Sequence, residues 1–561
     1  MKRNVILLAA ALTVGLMAAC EQDTIVTTTD TPTGGGVETG DDNLDSVTVD
    51  LNVTVTFASS GATVSGTSDS VTASVNGNQV TIINTSSQVI SYTLTGSSSN
   101  GCFKLYSGKK QVVILNGLSL TNPNGAAINI QGPASSPSSG KRAFIVVQGT
   151  NTLADGSSYS ATPSAEDEKA ALFSEGKLVF SGSGSLTVTA TGKAGITSDD
   201  YVHFQSGTYT VSSTAGHGVR GKDYILVSGG TINVETSASM KKGFSSDSLV
   251  CFNGGETTIR VTGSAAYDSE DGEYTGTAGV KADVAFVMNA GSLAITNSGT
   301  GGKGISCDGT GQFNGGTVDV TVTGSNYTSG DISSKGIKCD GNISFDGSSV
   351  SVKASKHEGI ESKGTITMNS GMVYSYSQGD DAINAASTFT VNGGYICAHS
   401  TANDGMDANG NCYIKGGVVY AIGKSQPEVA IDANTEGGYK LYVQGGTLIA
   451  IGGLENNSSL TQSCYQASSW SQNTWYALTV GSTTYAFKTP SSGGTPLVVS
   501  GASMPTLKSA VTATGGTAYF NGTFLMGATV SGGSSVTLSS YTGGNGGGPG
   551  GGGGHGPGGW K

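Results

Sequence analysis

A short motif recurs through the middle of the chain, mostly every 23 to 25 residues. It reads small residue, apolar residue, any residue, small residue, Asp or Lys. A short apolar stretch follows, then Asn/Ser-Gly-Gly and an alternating Thr/Val segment. Instances begin at Gly195-Ile196, Gly218-Val219, Gly243-Phe244, Gly279-Val280, Gly304-Ile305, Gly336-Ile337, Gly359-Ile360, Ala382-Ile383, Gly405-Met406 and Ala430-Ile431. Their spacings are 23, 25, 36, 25, 32, 23, 23, 23 and 25, so two repeats carry insertions, near 267–276 and 326–333. A fixed period of this length means one supersecondary unit per repeat, each burying its apolar face against its neighbours. The content is short β runs punctuated by Gly, with no helical periodicity. The pattern therefore predicts an all-β chain, one turn of a parallel β-helix per repeat.

The 89 glycines and a charged fraction of 12% suit such a stacked solenoid, and the glycines lack the three-residue period of collagen. A solenoid grows in one dimension, so 561 residues need not divide into several globular domains. The formal charge of −12 excludes nucleic acid as a partner and favours cation binding or solubility.

Residues 1–20 combine a basic start (Met1-Lys2-Arg3), an apolar core and Leu16-Met17-Ala18-Ala19-Cys20, which looks like a lipobox. Cys20 is the expected lipidation site, anchoring an outer-membrane lipoprotein exposed at the cell surface. A plain signal peptide would also explain the charge and the apolar run. Residues 21–45 read as a flexible tether. A β cap is expected over 46–100, with a hairpin turn at Asn76-Gly77-Asn78, and the β-helix over 101–454. Less periodic strands over 455–545 would close the other end, before a Gly-rich tail, 546–561.

Aligning the repeats separates inside from outside. Ile196, Val219, Phe244, Val280, Ile305, Ile337, Ile360, Ile383, Met406 and Ile431 form one inward column. Phe252, Met288, Phe313, Phe345, Met368, Val391 and Ile414 form a second. Asn253, Asn289, Asn314, Asp346, Asn369 and Asn392 stack beside Gly-rich corners, where Asn and Asp suit left-handed turns. Cys307 and Cys339 share a slot that holds Ser or Ala elsewhere, which reads as a column of small side chains, with a disulfide as the alternative.

The corner before the first column changes character along the chain. His217, Lys241, Lys242, Lys303 and Lys335 give way to His357-Glu358, Asp380-Asp381, Asn403-Asp404 and Glu428. After the apolar residue, late repeats continue with Glu361, Asn384, Asp407 and Asp432. Stacking would bring Asp380, Asp381, Asn403, Asp404 and Asp407 into two adjacent turns, where carboxylates repel unless neutralised. Calcium, a hard cation taking six to eight oxygens, would do so; the alternative is a solvated acidic corner with shifted pKa values. A second acidic run, Glu166-Asp167-Glu168, lies in a long loop before an earlier corner; alone it reads as a solvated loop, and the family resemblance given below makes it a further candidate for metal. Outward Tyr374, Tyr376, Tyr420 and His399 could stack on sugar rings, or simply populate a β surface. Glu358 and Glu361 are the candidate polar contacts beside them.

Several signatures together resemble the bacterial "carbohydrate-binding domain-containing" β-helix family. They are Phe103-Lys104-Leu105-Tyr106-Ser107, Gly218-Val219-Arg220-Gly221-Lys222-Asp223, Lys335-Gly336-Ile337-Lys338-Cys339-Asp340-Gly341 and Glu358-Gly359-Ile360-Glu361-Ser362-Lys363. Asp380-Asp381-Ala382-Ile383-Asn384, Asn403-Asp404-Gly405-Met406-Asp407 and Ile431-Asp432-Ala433-Asn434 extend the resemblance over about residues 90–455. The family is similar in fold to family 9 polysaccharide lyases, which implies a right-handed, single-stranded parallel β-helix with bound calcium. It also implies binding of plant-type polysaccharide, polygalacturonan or cellulose. In the lyases a calcium held by Asp-Asp-Gly-x-Asp acidifies the uronate C5 proton and a Lys removes it; here Asn403 replaces the first Asp.

The expected function is thus a monomeric, lipid-anchored, calcium-stabilised binder of extracellular polysaccharide. The alternatives are a β-eliminating pectate lyase, with Lys415, Lys424 or Lys440 as base, and a structural or adhesive rod.

Overall fold

The computed structural model describes residues 40–543, apart from 161, 162, 164 and 165. Cys20 and its leader, most of the tether and the Gly-rich tail lie outside them. The described chain is all-β, with four short 3-10 turns as its only helical elements. Most strands join two large sheets, one of 28 strands and one of 14, in which parallel pairing dominates.

The repeat period of the sequence is the pairing period of the structure. In the smaller sheet each apolar residue pairs with its counterpart one repeat on: Ile196↔Val219, Val219↔Phe244, Phe244↔Val280, Val280↔Ile305, and so through Ile337, Ile360 and Ile383 to Met406. Single bridges carry the column on to Ile431 and Leu454. The second predicted column is likewise in register, from Phe252↔Met288 to Val391↔Ile414. Both columns are buried in one core that runs from Val53 to Val498. Each repeat therefore hides two large apolar side chains, worth roughly 1.5–3 kcal/mol apiece.

Close approach explains the small residue that opens the motif. A Cβ on Gly218, Gly243, Gly304 or Gly336 would fall 2.2 Å from Val234, Ile259, Val320 or Val352 respectively, and within 2.8 Å of the carbonyl of the next repeat. The facing residue lies sixteen positions on. For Ala382 that residue is Ala398, so the repeat tolerates a methyl where its partner has lost two.

The asparagine column is a hydrogen-bonded ladder as well as a series of turns. Asn289 donates to Asn253 and Asn314 to Asn289, both at 2.8 Å; Asn369 donates to Asp346 and Asn392 to Asn369, both at 2.7 Å. Cys307 and Cys339 stack in register as buried free thiols, which corresponds to the small-side-chain column.

The ends depart from the expected boundaries. Parallel pairing already starts at Leu51–Phe57 with Ile90–Ser98, so these two strands belong to the stack. The hairpin forms as predicted, Val71–Asn76 against Asn78–Asn84, with Gly77 at φ 60. At the other end Leu497–Ser500 pairs antiparallel with Thr447–Ile451, and Cys464–Ala467 with Leu497–Ser500 and Ser539–Tyr541. A six-stranded sheet within 475–536 packs its apolar side onto the outer face of Val418–Ile422 and Thr447–Ile451. Near the start, Leu44, Val47 and Val49 cover another outer face, around Phe144 and Tyr201. Buried Asp42 bolts that strap down, accepting hydrogen bonds from Arg142 Nε (2.8 Å), Tyr201 OH (2.5 Å) and, at 2.7 Å, the His203 ring.

Candidate functional site

On the smaller sheet the residue after each inward apolar side chain faces outward and stacks in its own ladder: Arg220, Ser245, Lys281, Ser306, Lys338, Glu361, Asn384, Asp407. Asp432 and Glu455 follow Ile431 and Leu454 and extend it. Two positions before the apolar column, His217, Lys242, Lys303 and Lys335 give way to Glu358, Asp381 and Asp404. Both series change sign at the same place, so the face is cationic over one stretch and acidic over the next.

Internal ion pairs fill the junction. Lys335 Nζ lies 2.5 Å from Glu361 and 3.2 Å from Glu358, and Lys363 reaches the other oxygen of Glu361 at 2.5 Å. Burial alone would raise Glu358, but the hydrogen bond from His357 and the charge of Lys335 hold it down to about 2. Glu358 and Glu361 are 6% and 3% exposed. They are consumed by these pairs, which corrects the expectation that they contact sugar.

The five metal-ligand candidates of the late corners divide into two groups, because neighbouring residues at the corner point opposite ways. Asp380 accepts from Asn403 Nδ2 at 2.8 Å and lies 3.1 Å from His357 Nδ1. Ligand atoms of His357, Glu358 and Asp380 all come within 4.8 Å of one another. Asp381, Asp404 and Asp407 belong to the other group. Asn384 Nδ2 bridges Asp381 (3.1 Å) and Asp407 (2.8 Å), while Asp381 accepts the Asp404 N–H at 3.0 Å. Asp404 accepts the Val429 N–H at 2.5 Å, and Asp432 lies beside Asp407 and Glu455.

This second group has no internal cation: among the described residues, no Lys, Arg or His pairs with Asp381, Asp404, Asp407, Asp432 or Glu455. Asp381, Asp404, Asp407 and Glu455 accordingly resist ionisation. Burial, then Asp381 and Asp432, pushes Asp404 up to about 9. Burial and Asp432 push Glu455 up to about 8, and Asp381 and Asp407 are raised far above the carboxylate range by burial and by other acids of the column. An all-oxygen donor set short of positive charge has the chemistry of a hard-cation site, buried at Asp381 and Asp404 and half-buried elsewhere, though no three of these carboxyls bring ligand atoms within 4.8 Å of one another. Glu455 escaped the sequence reading because the motif fades there, although Gly453-Leu454-Glu455 continues it by one repeat.

The earlier acidic run is split up. Glu166 is ion-paired with Lys104 and hydrogen-bonded by Tyr106, and Glu168 accepts from Asn129 at 3.2 Å. Only Asp167 joins other acids, Glu175 and Asp199, and Lys169 bridges it (2.8 Å) to Asp199 (2.5 Å). This run therefore carries its own cation.

Tyr420 and Tyr374, expected to face solvent, are covered. Tyr420 is 1% exposed beneath the six-stranded sheet, its hydroxyl donating to the Lys488 carbonyl at 2.9 Å. Tyr374 is half-buried against Phe520, their rings 6.4 Å apart, and Tyr376 packs edge-on to His399 at 5.0 Å. Alternation told outside from inside the stack but could not show what covers the outside.

Residues 76–248 match a family model described as carbohydrate-binding domain-containing protein. A solved polysaccharide lyase-like protein from C. thermocellum is similar at 21% identity, over 46% of this chain and 96% of that one, with a TM-score of 0.38. None of the curated proteins matches the chain in sequence.

Proposed function

We propose that the chain is a right-handed parallel β-helix, anchored at the cell surface through Cys20, that binds extracellular acidic polysaccharide through calcium. The observation that carries this reading is the column of Asp381, Asp404, Asp407, Asp432 and Glu455, buried at Asp381 and Asp404 and half-buried at the other three, which no basic side chain among the described residues neutralises. Calcium held by these oxygens would supply the missing charge and leave positions for the carboxylate of a uronate. The family match over residues 76–248 supports carbohydrate as the ligand class. The lipobox Leu16-Met17-Ala18-Ala19-Cys20 supports the surface location.

A binder is favoured over a lyase by the positions of the lysines. Lys424 and Lys440 are exposed, and Lys415 lies 5.1 Å over the Tyr413 ring on the other sheet. Lys303 is better suited to act as a base, since burial and then Lys338 and Lys335 bring it down to about 8. It lies three ladder steps from Asp381 (through Lys335 and Glu358), about 14 Å at the usual strand spacing. A base and a metal that far apart do not act on one sugar ring.

Affinity electrophoresis through gels containing polygalacturonate, with calcium and then with chelator, tests the proposal. Retardation that needs calcium and is lost in the Asp404→Asn/Asp407→Asn variant is expected. Equal mobility in both gels would overturn the calcium-bridged reading, and unsaturated products would favour the lyase.

A further inference from the structure

The two insertions that interrupt the repeat, 32 residues of spacing in one case and 36 in the other, meet in space. The first is a hairpin, Ala266–Asp268 paired antiparallel with Glu273–Thr275. The second closes through Tyr327↔Ile332 around the turn Thr328–Gly330. Both rest on the repeat between them. A Cβ on Gly301, which has φ +69, would fall 2.7 Å from Ala265 and 3.0 Å from Tyr327, and one on Gly276 would fall 3.2 Å from Ile332.

Their joint product is an exposed aromatic cluster. The rings of Tyr267 and Tyr274 lie 5.2 Å apart at 68°, and those of Tyr274 and Tyr327 5.8 Å apart at 50°. Tyr267 is 54% and Tyr274 41% exposed, among the few large apolar surfaces the described chain leaves uncovered. Gly330 holds the arrangement: a Cβ there would sit 2.4 Å from Cγ of Tyr274, so only a bare backbone fits against that ring. Two loops converging to present aromatic faces, with no other described part of the chain over Tyr267, make a surface suited to the C–H faces of pyranose rings. Asp268, Glu270, Asp271 and Glu273 rim the hairpin, which contains no Lys or Arg, and Asp331 adds a fifth carboxyl from the second loop. These groups accept hydrogen bonds from sugar hydroxyls and repel carboxylates.

We infer that Tyr267, Tyr274 and Tyr327 form a second glycan-docking platform, selective for neutral polysaccharide. It is separate from the acidic column and requires no metal. One chain would thereby engage two wall polymers, an acidic one through calcium and a neutral one through stacking.

The test is electrophoresis of the full chain through gels containing soluble β-glucan, galactomannan or polygalacturonate, each with chelator and with calcium. Retardation by a neutral polymer is expected in either condition, with affinity falling tenfold or more in Tyr267→Ala/Tyr274→Ala and clearly in Gly330→Ala. Asp404→Asn/Asp407→Asn should bind the neutral polymer like the unaltered chain. Three results would overturn the platform: no retardation in either neutral gel, undiminished binding in the double tyrosine variant, or tyrosine-dependent self-association without sugar binding. Retardation only by polygalacturonate with calcium would sink the platform and leave the proposed function standing. The tyrosines sit on surface loops, and an unchanged melting temperature separates lost binding from lost fold.

Discussion

Asp404 concentrates the electrostatics of the acidic column in one side chain. Its carboxyl titrates near 9 when folded and near 3.8 when free. Between those values the folded state holds the proton more tightly, so without metal the fold loses stability as pH rises from about 4 to 9. Calcium bound as proposed would remove the penalty by replacing the proton. The melting temperature in chelator should therefore fall across that window, and calcium should flatten the curve. Asp404→Asn should shrink both the pH slope and the calcium response; a slope unchanged in the variant would assign the effect elsewhere. At this scale the sequence was partly legible. It named Asp381, Asp404 and Asp407, because carboxylates at a fixed offset must stack. It could not show that Asp380 turns away toward His357, nor that Lys335 neutralises Glu358 and Glu361, since those depend on which way each corner side chain leaves the backbone.

Within one repeat, the decisive feature is the space left for a glycine. Gly304→Ala would place a methyl 2.2 Å from Val320 Cγ1 in a closely packed core, an overpacking expected to cost about 1–3 kcal/mol. Adding Val320→Ala reproduces the Ala382/Ala398 pairing found naturally in this chain. Denaturant melts should show the double variant recovering part of the loss to the methyl clash, offset by the smaller buried side chain. Strict additivity of the two losses would contradict the contact. The columns of inward residues were readable because the period sets the register. The six-stranded sheet was not foreseen as a cover, and so Tyr420, outward by alternation, was assigned to solvent although it is buried.

For the molecule as a whole, the stack must not end on an open edge. Leu497–Ser500 runs antiparallel to Thr447–Ile451 and stops parallel addition there. A chain ending after Ile451 would expose that edge together with Ile449 and Ile451, and light scattering should show it aggregating where the full chain stays dispersed. Less periodic sequence at 455–545 signalled a change of architecture but not its form. Non-repeating strands carry no register signal. The central proposal is that this chain, with net charge −12, gathers acids into a column that would hold calcium and, through it, a uronate polymer. The most direct measurement is calorimetric titration of calcium into metal-stripped protein, followed by oligogalacturonate, for the unaltered chain and for Asp404→Asn/Asp407→Asn. The account expects saturable calcium binding, then sugar binding only after the metal, with both weakened at least tenfold in the variant. Sugar binding without calcium, or calcium binding untouched by the two substitutions, would contradict it.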